Sequence, residues 1–265
     1  MASSSDGLAL ATQGLRRSFG DFVAVDGIDL AVPEGSFYGF LGPNGAGKST
    51  TIKCLTGLLR PSAGTVRILG FDPERDAVAV KRKVGVVPED LALFDRLTGA
   101  ENLAFVARVH GLERATFEKR AAELLELLEL TDAAAVLAAD YSHGMKKKLS
   151  LAMSLLPSPR LLFLDEPFEG IDAVSSRLIK RFLHEFTGRG GTVFLTSHVL
   201  EIVERLADHV GILHKGKLVA QGSIGELRTQ RAGDSSGTGS LEDLFLGIVG
   251  ASAHAEEHAL AWLGA

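Results

Sequence analysis

The sequence has very little cysteine and no long hydrophobic run, and both absences narrow the possible classes of protein. One cysteine among 265 residues, Cys54, excludes a disulfide within the chain and is expected in the core. The longest apolar run, residues 133–139, is far shorter than the roughly 18–20 residues that cross a bilayer. The first residues, MASSSDGLAL, lack a charged region followed by an apolar one and do not predict a signal peptide. We therefore expect a chain that meets any membrane through a partner.

Charge of one sign is not in large excess either. The formal net charge of −5 argues against a strong global attraction to nucleic acid or anionic membranes, so no nucleic-acid partner is expected. A hydrophobic content of 46% supports a substantial core, and the length suffices for one large α/β domain or two small ones.

Short apolar segments and amphipathic segments alternate along most of the chain, which predicts strands and helices in turn. Strands are predicted over residues 8–18, 28–32, 35–41, 65–69, 84–87, 160–164 and 192–195, and a hairpin over 209–221. Helices are predicted over residues 48–59, 173–186 and 199–207, and residues 91–159 have a helical pattern. The alternation favours an α/β fold with a mainly parallel sheet and a helical insertion.

The C-terminal part has a different composition. Residues 231–240, RAGDSSGTGS, predict a flexible linker. Residues 241–249 predict a short amphipathic helix, and a weakly patterned tail follows to residue 265. The predicted organisation is a domain over residues 1–230, a linker over 231–240, and a C-terminal helix and tail over 241–265.

A glycine-rich segment between the strand at 35–41 and the helix at 48–59 has the spacing of a phosphate-binding loop, G-x-x-x-x-G-K-[ST]. Its glycines let main-chain N–H groups surround phosphates, and the following helix adds the positive end of its dipole. Lys48 can reach the β- and γ-phosphates of a nucleotide, and Ser49 can offer its hydroxyl to Mg²⁺. The loop consists of Gly42, Pro43, Asn44, Gly45, Ala46, Gly47, Lys48, Ser49 and Thr50.

Two acidic residues follow the apolar strand at 160–164. Ligand sites in open α/β sheets lie at the carboxyl ends of strands, where Asp165 and Glu166 are expected. Asp165 is placed to hold Mg²⁺ through water, and Glu166 to polarise the water that attacks the γ-phosphate. An acidic pair that caps the next helix is the alternative. Because the pair supplies a metal ligand and a base together, it favours hydrolysis.

These motifs resemble those of the ATP-binding subunit of an ABC transporter, over residues 8–228. GPNGAGKST resembles its Walker A motif, LLFLDE its Walker B motif, and YSHGM stands at the position of the signature motif. Val87-Pro88-Glu89 lies at the Q-loop, Glu169-Gly-Ile-Asp172 at the D-loop, and His198 at the switch histidine. The resemblance implies a P-loop NTPase (RecA-like) core, an N-terminal antiparallel β part and a helical subdomain over about 91–159.

The resemblance also implies how ATP and Mg²⁺ are bound. Ser142 and Gly144, at a helix start, would contact the γ-phosphate of ATP held by a second ATPase subunit, so that two ATP molecules lie between two chains. Phe19 occupies the position that stacks on adenine, although a core or turn phenylalanine is the alternative. His198 would contact the γ-phosphate and orient Glu166. Asp172 would cap a helix and contact the other subunit.

Several positions depart from the family pattern. Glu89 replaces the usual glutamine of the Q-loop and adds negative charge beside the metal. His143 and Met145 replace a glycine and a glutamine of the signature, and His143 is expected to point outward. The run 146–148, KKK, favours a solvated helix face, with support for a phosphate or a contact with a partner chain as alternatives.

The segments 97–103 and 241–245 resemble those of exporter-type subunits. The expected function is therefore ATP hydrolysis that powers export through separate transmembrane permease subunits. The protein would be cytoplasmic, on the inner face of the membrane, and either a homodimer or a heterodimer. The alternatives are a non-transport ABC ATPase, or a weakly hydrolysing regulatory subunit, for which Glu89 and His143 are the motive.

Overall fold

The computed structural model describes residues 7–231 and 241–249. An antiparallel sheet lies at the N-terminal end, with strand β1 (Leu8–Phe19) paired to β2 (Phe22–Ile28), β3 (Ala31–Pro33) and β5 (Ala63–Ile68). The prediction left residues 22–27 without a strand and began the next strand at residue 28. In the structure, Gly27 has a φ of 66°, and the β1–β2 register shifts here from Leu15↔Ile28 to Arg17↔Val25. The glycine therefore sits at an irregularity within the strand.

A six-stranded sheet forms the centre of the protein. Its strand order is β10-β9-β4-β8-β7-β6, and all neighbours are parallel except the terminal hairpin β9–β10. The predicted α/β fold with a mainly parallel sheet is confirmed. The strand bounds are β4 Phe37–Leu41, β6 Val84–Val87, β7 Leu161–Asp165, β8 Thr192–Ser197, β9 His209–His214 and β10 Lys217–Ser223.

Helices connect the strands and cover both faces of the central sheet. The helix predicted over 48–59 stops earlier, because Gly57 adopts a φ of 73°, typical of the residue that follows a helix. The helix bounds are α1 Lys48–Leu55, α2 Ala77–Lys81, α3 Gly99–His110, α4 Arg114–Leu127, α5 His143–Leu155, α6 Ala173–Gly188, α7 Leu200–Leu206, α8 Ile224–Arg231 and α9 Leu241–Val249.

The buried side chains form two cores, one on each face of the central sheet. Along β7, Leu162 and Leu164 pack in the core with α3, α4, α5 and α6. Leu161 and Phe163 pack in the other core, with α1 and the antiparallel sheet. Because successive side chains of a strand point to opposite faces, a continuous apolar strand can join both cores. Cys54 is buried in the second core, as predicted.

The C-terminal helix α9 has the predicted bounds, and its first residue donates a hydrogen bond from its main-chain N–H to Glu204 Oε1 at 3.0 Å. Residues 232–240 of the predicted linker and the tail 250–265 lie outside the described residues. The domain boundaries stay predictions. Within the described ranges, no helix is both long enough and apolar enough to cross a membrane.

Candidate functional site

The glycine-rich loop joins β4 to α1 and is shaped by close contacts between main chains. A Cβ atom on Gly47, whose φ is 107°, would lie 2.3 Å from the Ala24 oxygen. A Cβ on Gly42 would lie 2.5 Å from the Leu213 oxygen. Both distances are too short for any side chain, so the two spaced glycines of the motif are needed for packing as well as for phosphate approach.

The loop borders a cavity of about 350 Å³ at the carboxyl end of the central sheet. A nucleotide triphosphate group is the ligand that such a loop at a helix start accommodates. Glu89 and Glu166 line the cavity together with the loop, and their predicted roles stay predictions. The lining residues are Phe22, Ala24, Pro43, Asn44, Gly45, Ala46, Gly47, Lys48, Ser49, Thr50, Glu89 and Glu166.

Lys48 lies across the loop with its side chain only 6% exposed. Its Nζ donates to the main-chain oxygen of Gly42 at 2.7 Å and lies 3.4 Å from Glu166 Oε1. The ammonium group is therefore held between the loop and Glu166, at the cavity that the loop borders.

Asp165 and Glu166 are both buried where β7 ends. Thr196 of the neighbouring strand β8 donates from Oγ1 to Asp165 Oδ1 at 2.5 Å and accepts from the Glu166 main-chain N–H at 3.1 Å. The sequence pattern did not identify Thr196. This residue lies opposite Asp165 only because β8 pairs with β7, and local pattern does not reveal strand order. The acidic pair is thus held by the adjacent strand.

Glu166 has an unusual main-chain conformation, with a φ of 47°. Long side chains rarely adopt this left-handed region, and such residues cluster at functional sites. The carboxylate lies between Lys48 and His198. Its Oε1 is 3.4 Å from Lys48 Nζ, and its Oε2 is 3.1 Å from His198 Nδ1. In the described part of the chain, Oε1 is buried and makes no hydrogen bond, although the Lys48 ammonium lies beside it.

Ser49 and Glu89 meet at the cavity wall. Ser49 Oγ donates a hydrogen bond to Glu89 Oε2 at 3.4 Å. Both side chains offer oxygen atoms, which are the ligands that Mg²⁺ prefers. No cluster of three or more His, Cys, Asp or Glu side chains that could hold a metal occurs in the described ranges.

The predicted second anion site lies at the start of α5 and does not line the cavity. Ser142 caps this exposed helix start, and its Oγ accepts from the Met145 N–H at 3.2 Å. Asp172 caps α6 by accepting from the Ser175 N–H at 2.9 Å. That main-chain hydrogen bond, together with one from the Ser175 hydroxyl, holds the pKa of Asp172 below its usual range. The roles of Ser142, Gly144 and Asp172 toward a partner stay predictions.

The two phenylalanines of the β1–β2 turn differ in placement. Phe22 is 65% exposed and lines the cavity. Phe19 does not line it, and the Arg17 guanidinium lies over its ring at 4.4 Å from the centroid. The adenine-stacking role of Phe19 stays a prediction, and Phe22 joins it as a candidate.

The lysine run at the start of α5 corrects a prediction. A solvated face was favoured, yet Lys147 and Lys148 are only 5% and 7% exposed. Lys148 pairs with Glu129 at 3.1 Å, while Lys146 lies 3.7 Å from Asp95. Helical periodicity did not predict the burial of these lysines, because lysine counts as a polar residue in such a pattern. The aliphatic part of its side chain can nevertheless pack as an apolar group while the ammonium group finds partners.

Comparisons with known proteins identify the family of this chain. The sequence pattern of the family described as "ABC transporter" matches residues 25–169, more than half of the chain. The daunorubicin/doxorubicin resistance ATP-binding protein DrrA of Streptomyces peucetius is 38% identical over 254 residues, which cover 93% of this chain and 77% of that protein. The chain belongs to the ABC transporter family. Within that family, it is an ATP-binding subunit.

Two further matches are consistent with this ABC ATP-binding subunit. The linearmycin resistance ATP-binding protein LnrL of Bacillus subtilis is 35% identical over 251 residues, which cover 94% of this chain and 81% of that protein. A solved structure described as the ATP binding subunit of an ABC transporter has a TM-score of 0.85 and 30% identity, and covers 91% of this chain and 99% of that one. The predicted P-loop NTPase core with its antiparallel β part is therefore confirmed.

Proposed function

We propose that this ABC subunit hydrolyses ATP with Mg²⁺ and that Glu166 is the general base. The observation that carries the proposal is the position of the Glu166 carboxylate. It is buried beside the phosphate loop, with the Lys48 ammonium 3.4 Å from Oε1 and His198 Nδ1 3.1 Å from Oε2, and Oε1 makes no hydrogen bond among the described residues. A carboxylate within reach of a water that faces the γ-phosphate meets the geometric requirement for a base.

Each neighbour of Glu166 has a distinct role in the proposal. The main-chain N–H groups of the loop and Lys48 bind the phosphates, and Lys48 neutralises charge that develops on them. Glu166 accepts a proton from the attacking water. His198, whose Nδ1 lies at 3.1 Å, orients the carboxylate and is exposed enough to reach the γ-phosphate.

Ser49 and Asp165 are the residues proposed to hold Mg²⁺, and Glu89 is hydrogen-bonded to Ser49. Their oxygen atoms suit this hard cation, and Thr196 orients the Asp165 carboxylate through its hydrogen bond at 2.5 Å. When bound, Mg²⁺ would supply positive charge that stabilises the triphosphate, with Ser49 and Asp165 holding the ion.

We further propose that two ATPase subunits bind ATP between them. The start of α5 is exposed, and an exposed helix start with Ser142 and Gly144 can bind an anion. These two residues do not line the cavity of their own chain, so the phosphate that they contact would belong to the partner subunit. The second subunit is either another copy or a related chain.

The proposed coupling is to export through separate permease subunits at the cytoplasmic face of the membrane. The two relatives described above are named for resistance to daunorubicin and doxorubicin and for resistance to linearmycin. By this similarity, we propose that the cargo is a bioactive small molecule. Helices α3 to α5 form the part expected to contact the permease.

The test is ATP turnover by the purified chain and by Glu166→Gln, which keeps shape and hydrogen bonding but removes the charge. We expect turnover to fall by about 10³-fold or more, as loss of a general base requires, while a fluorescent ATP analogue still binds. Turnover unchanged by Glu166→Gln would refute the base. A wild-type chain that binds ATP without measurable turnover would favour the regulatory alternative and point to Glu89.

A further inference from the structure

Lys147 is a buried cation that the proposed chemistry does not use. It lies on α5, five residues after Ser142, and is 5% exposed. Its Nζ donates to the main-chain oxygen of Glu166 at 2.8 Å and to that of Glu169 at 2.5 Å. The ammonium group thus binds both ends of the short turn that follows the Walker B strand.

Burial works against a charge at this position. Desolvation lowers the pKa of Lys147, and the nearby carboxylates of Glu169, Glu166 and Glu89 oppose that effect. A buried ammonium is tolerated where hydrogen bonds and opposite charges compensate for lost water. Here the compensation comes from those carboxylates and from two main-chain oxygens of the turn, so the lysine and the turn conformation depend on each other.

The contact bears on the conformation of Glu166. Its left-handed φ of 47° is unfavourable for a long side chain and persists only where the surroundings impose it. Thr196 holds the Glu166 main-chain N–H, and Lys147 holds the main-chain oxygen. These two contacts, with the Glu169 N–H at 3.3 Å from the same oxygen, hold the Glu166 main chain from opposite sides and so position the start of its side chain.

The first turn of α5 also lies against the D-loop. A Cβ on Gly170, whose φ is 67°, would lie 3.0 Å from His143 Cδ2. A Cβ on Gly144 would lie 3.7 Å from Asp172 Oδ2. Helix α5, which has Ser142 at its start, therefore contacts residues 166–172 in two places. The first contact is made by the first residues of α5, and the second by Lys147, one helical turn later.

We propose that Lys147 is a positioning residue that couples the phosphate site at the start of α5 to the base of the same chain. The proposal rests on the proposed function of Glu166 and Ser142. When the partner's nucleotide binds at Ser142, any movement of α5 reaches Glu166 through the Lys147 ammonium. Occupancy of one ATP site would thereby influence hydrolysis at the other.

The test compares Lys147→Met with the matched control Lys148→Met in the full-length chain. Methionine fills a similar volume but donates no hydrogen bond. Lys148 is equally buried and pairs with Glu129, away from the turn. We expect Lys147→Met to lower kcat on the order of 10- to 100-fold, because small displacements of a catalytic group have effects of that size. We expect the Kd for a fluorescent ATP analogue to change less than threefold and the Hill coefficient for ATP to fall toward 1.

Lys148→Met is expected to lower the melting temperature without changing kcat or the Hill coefficient. A Lys147→Gln variant, which keeps a donor on a shorter side chain, should recover part of kcat. The inference is overturned if Lys147→Met keeps wild-type kcat and cooperativity, or if both lysine variants lose activity only in proportion to stability. Failure of the proposed function is distinguishable, because wild type would then not hydrolyse ATP or Glu166→Gln would still do so.

Discussion

Replacement of Thr196 by valine tests whether the neighbouring strand holds the acidic pair in place. The Thr196 hydroxyl is fully buried and has one proton, which goes to Asp165 Oδ1 at 2.5 Å rather than to the Leu164 oxygen at 3.5 Å. Its oxygen accepts from the Glu166 N–H at 3.1 Å. Valine has nearly the same shape, so Thr196→Val removes both hydrogen bonds while it leaves no cavity.

The expected loss of stability follows from those two contacts. A hydrogen bond to a charged group contributes about 1.5–3 kcal/mol, and a buried N–H left without an acceptor costs about 1–3 kcal/mol. Because the added methyl group recovers some free energy by burial, we expect a net loss of about 2–4 kcal/mol. For a chain of this size, that lowers the melting temperature by about 4–16 °C.

Thermal unfolding and ATP turnover, measured on the same variants, distinguish a loss of stability from a displacement of the acidic pair. Thr192→Val is the matched control, because Thr192 is equally buried at the other end of β8 and accepts only from the Gly35 N–H at 2.9 Å in the contacts described. Both variants should lose stability, but only Thr196→Val should lose turnover, on the order of tenfold or more. The reasoning fails if Thr196→Val melts no lower than Thr192→Val and hydrolyses ATP at the wild-type rate.

Two further predictions concern nucleotide stacking and the D-loop cap. Phe19→Ala and Phe22→Ala should each weaken binding of a fluorescent ATP analogue several-fold, since an aromatic contact contributes about 0.5–1.5 kcal/mol, and an unchanged Kd in either variant would remove that ring from the site. Asp172→Ala should destabilise the chain at neutral pH. The hydrogen bond from Ser175 lowers the folded-state pKa of Asp172. The ionised Asp172 carboxylate therefore stabilises the fold fully above the ordinary aspartate pKa of about 3.9. This stabilisation is lost as the pH falls through the lower pKa of the folded state. The difference in melting temperature between wild type and Asp172→Ala should therefore shrink toward pH 3, and a constant difference would contradict this.

Much of the fold could be predicted from short-range pattern. Strands such as β7 and β8 are continuous apolar runs because both of their faces are buried, and the G-x-x-x-x-G-K-[ST] spacing identifies its own strand, loop and helix. Strand β2 was missed, and its Asp26-Gly27 is a turn signal locally, whereas pairing with β1 keeps the segment extended. Turn and strand propensities depend only on the residues of a segment, and pairing with a neighbouring strand in the folded protein can override them.

The contacts around the candidate site were predictable only in part. Lys48, Ser49, Glu89 and Glu166 belong to motifs with fixed spacing, so the sequence identified them. Thr196 could not be found in that way, because its contact with Asp165 requires that β8 lie next to β7. Interactions over a long sequence separation depend on strand order, which local pattern does not contain.

The position of the base is determined by elements that are far apart in sequence. Each polar atom of Glu166 has its own neighbour: Thr196 at the main-chain nitrogen, Lys147 at the main-chain oxygen, Lys48 near Oε1 and His198 at Oε2. A residue with a left-handed φ keeps that conformation only if several contacts impose it together. Hydrolysis should therefore depend on Thr196 and Lys147 even though, in our proposal, neither contacts ATP. Because both act on the same residue, the effects of their replacement should not be additive.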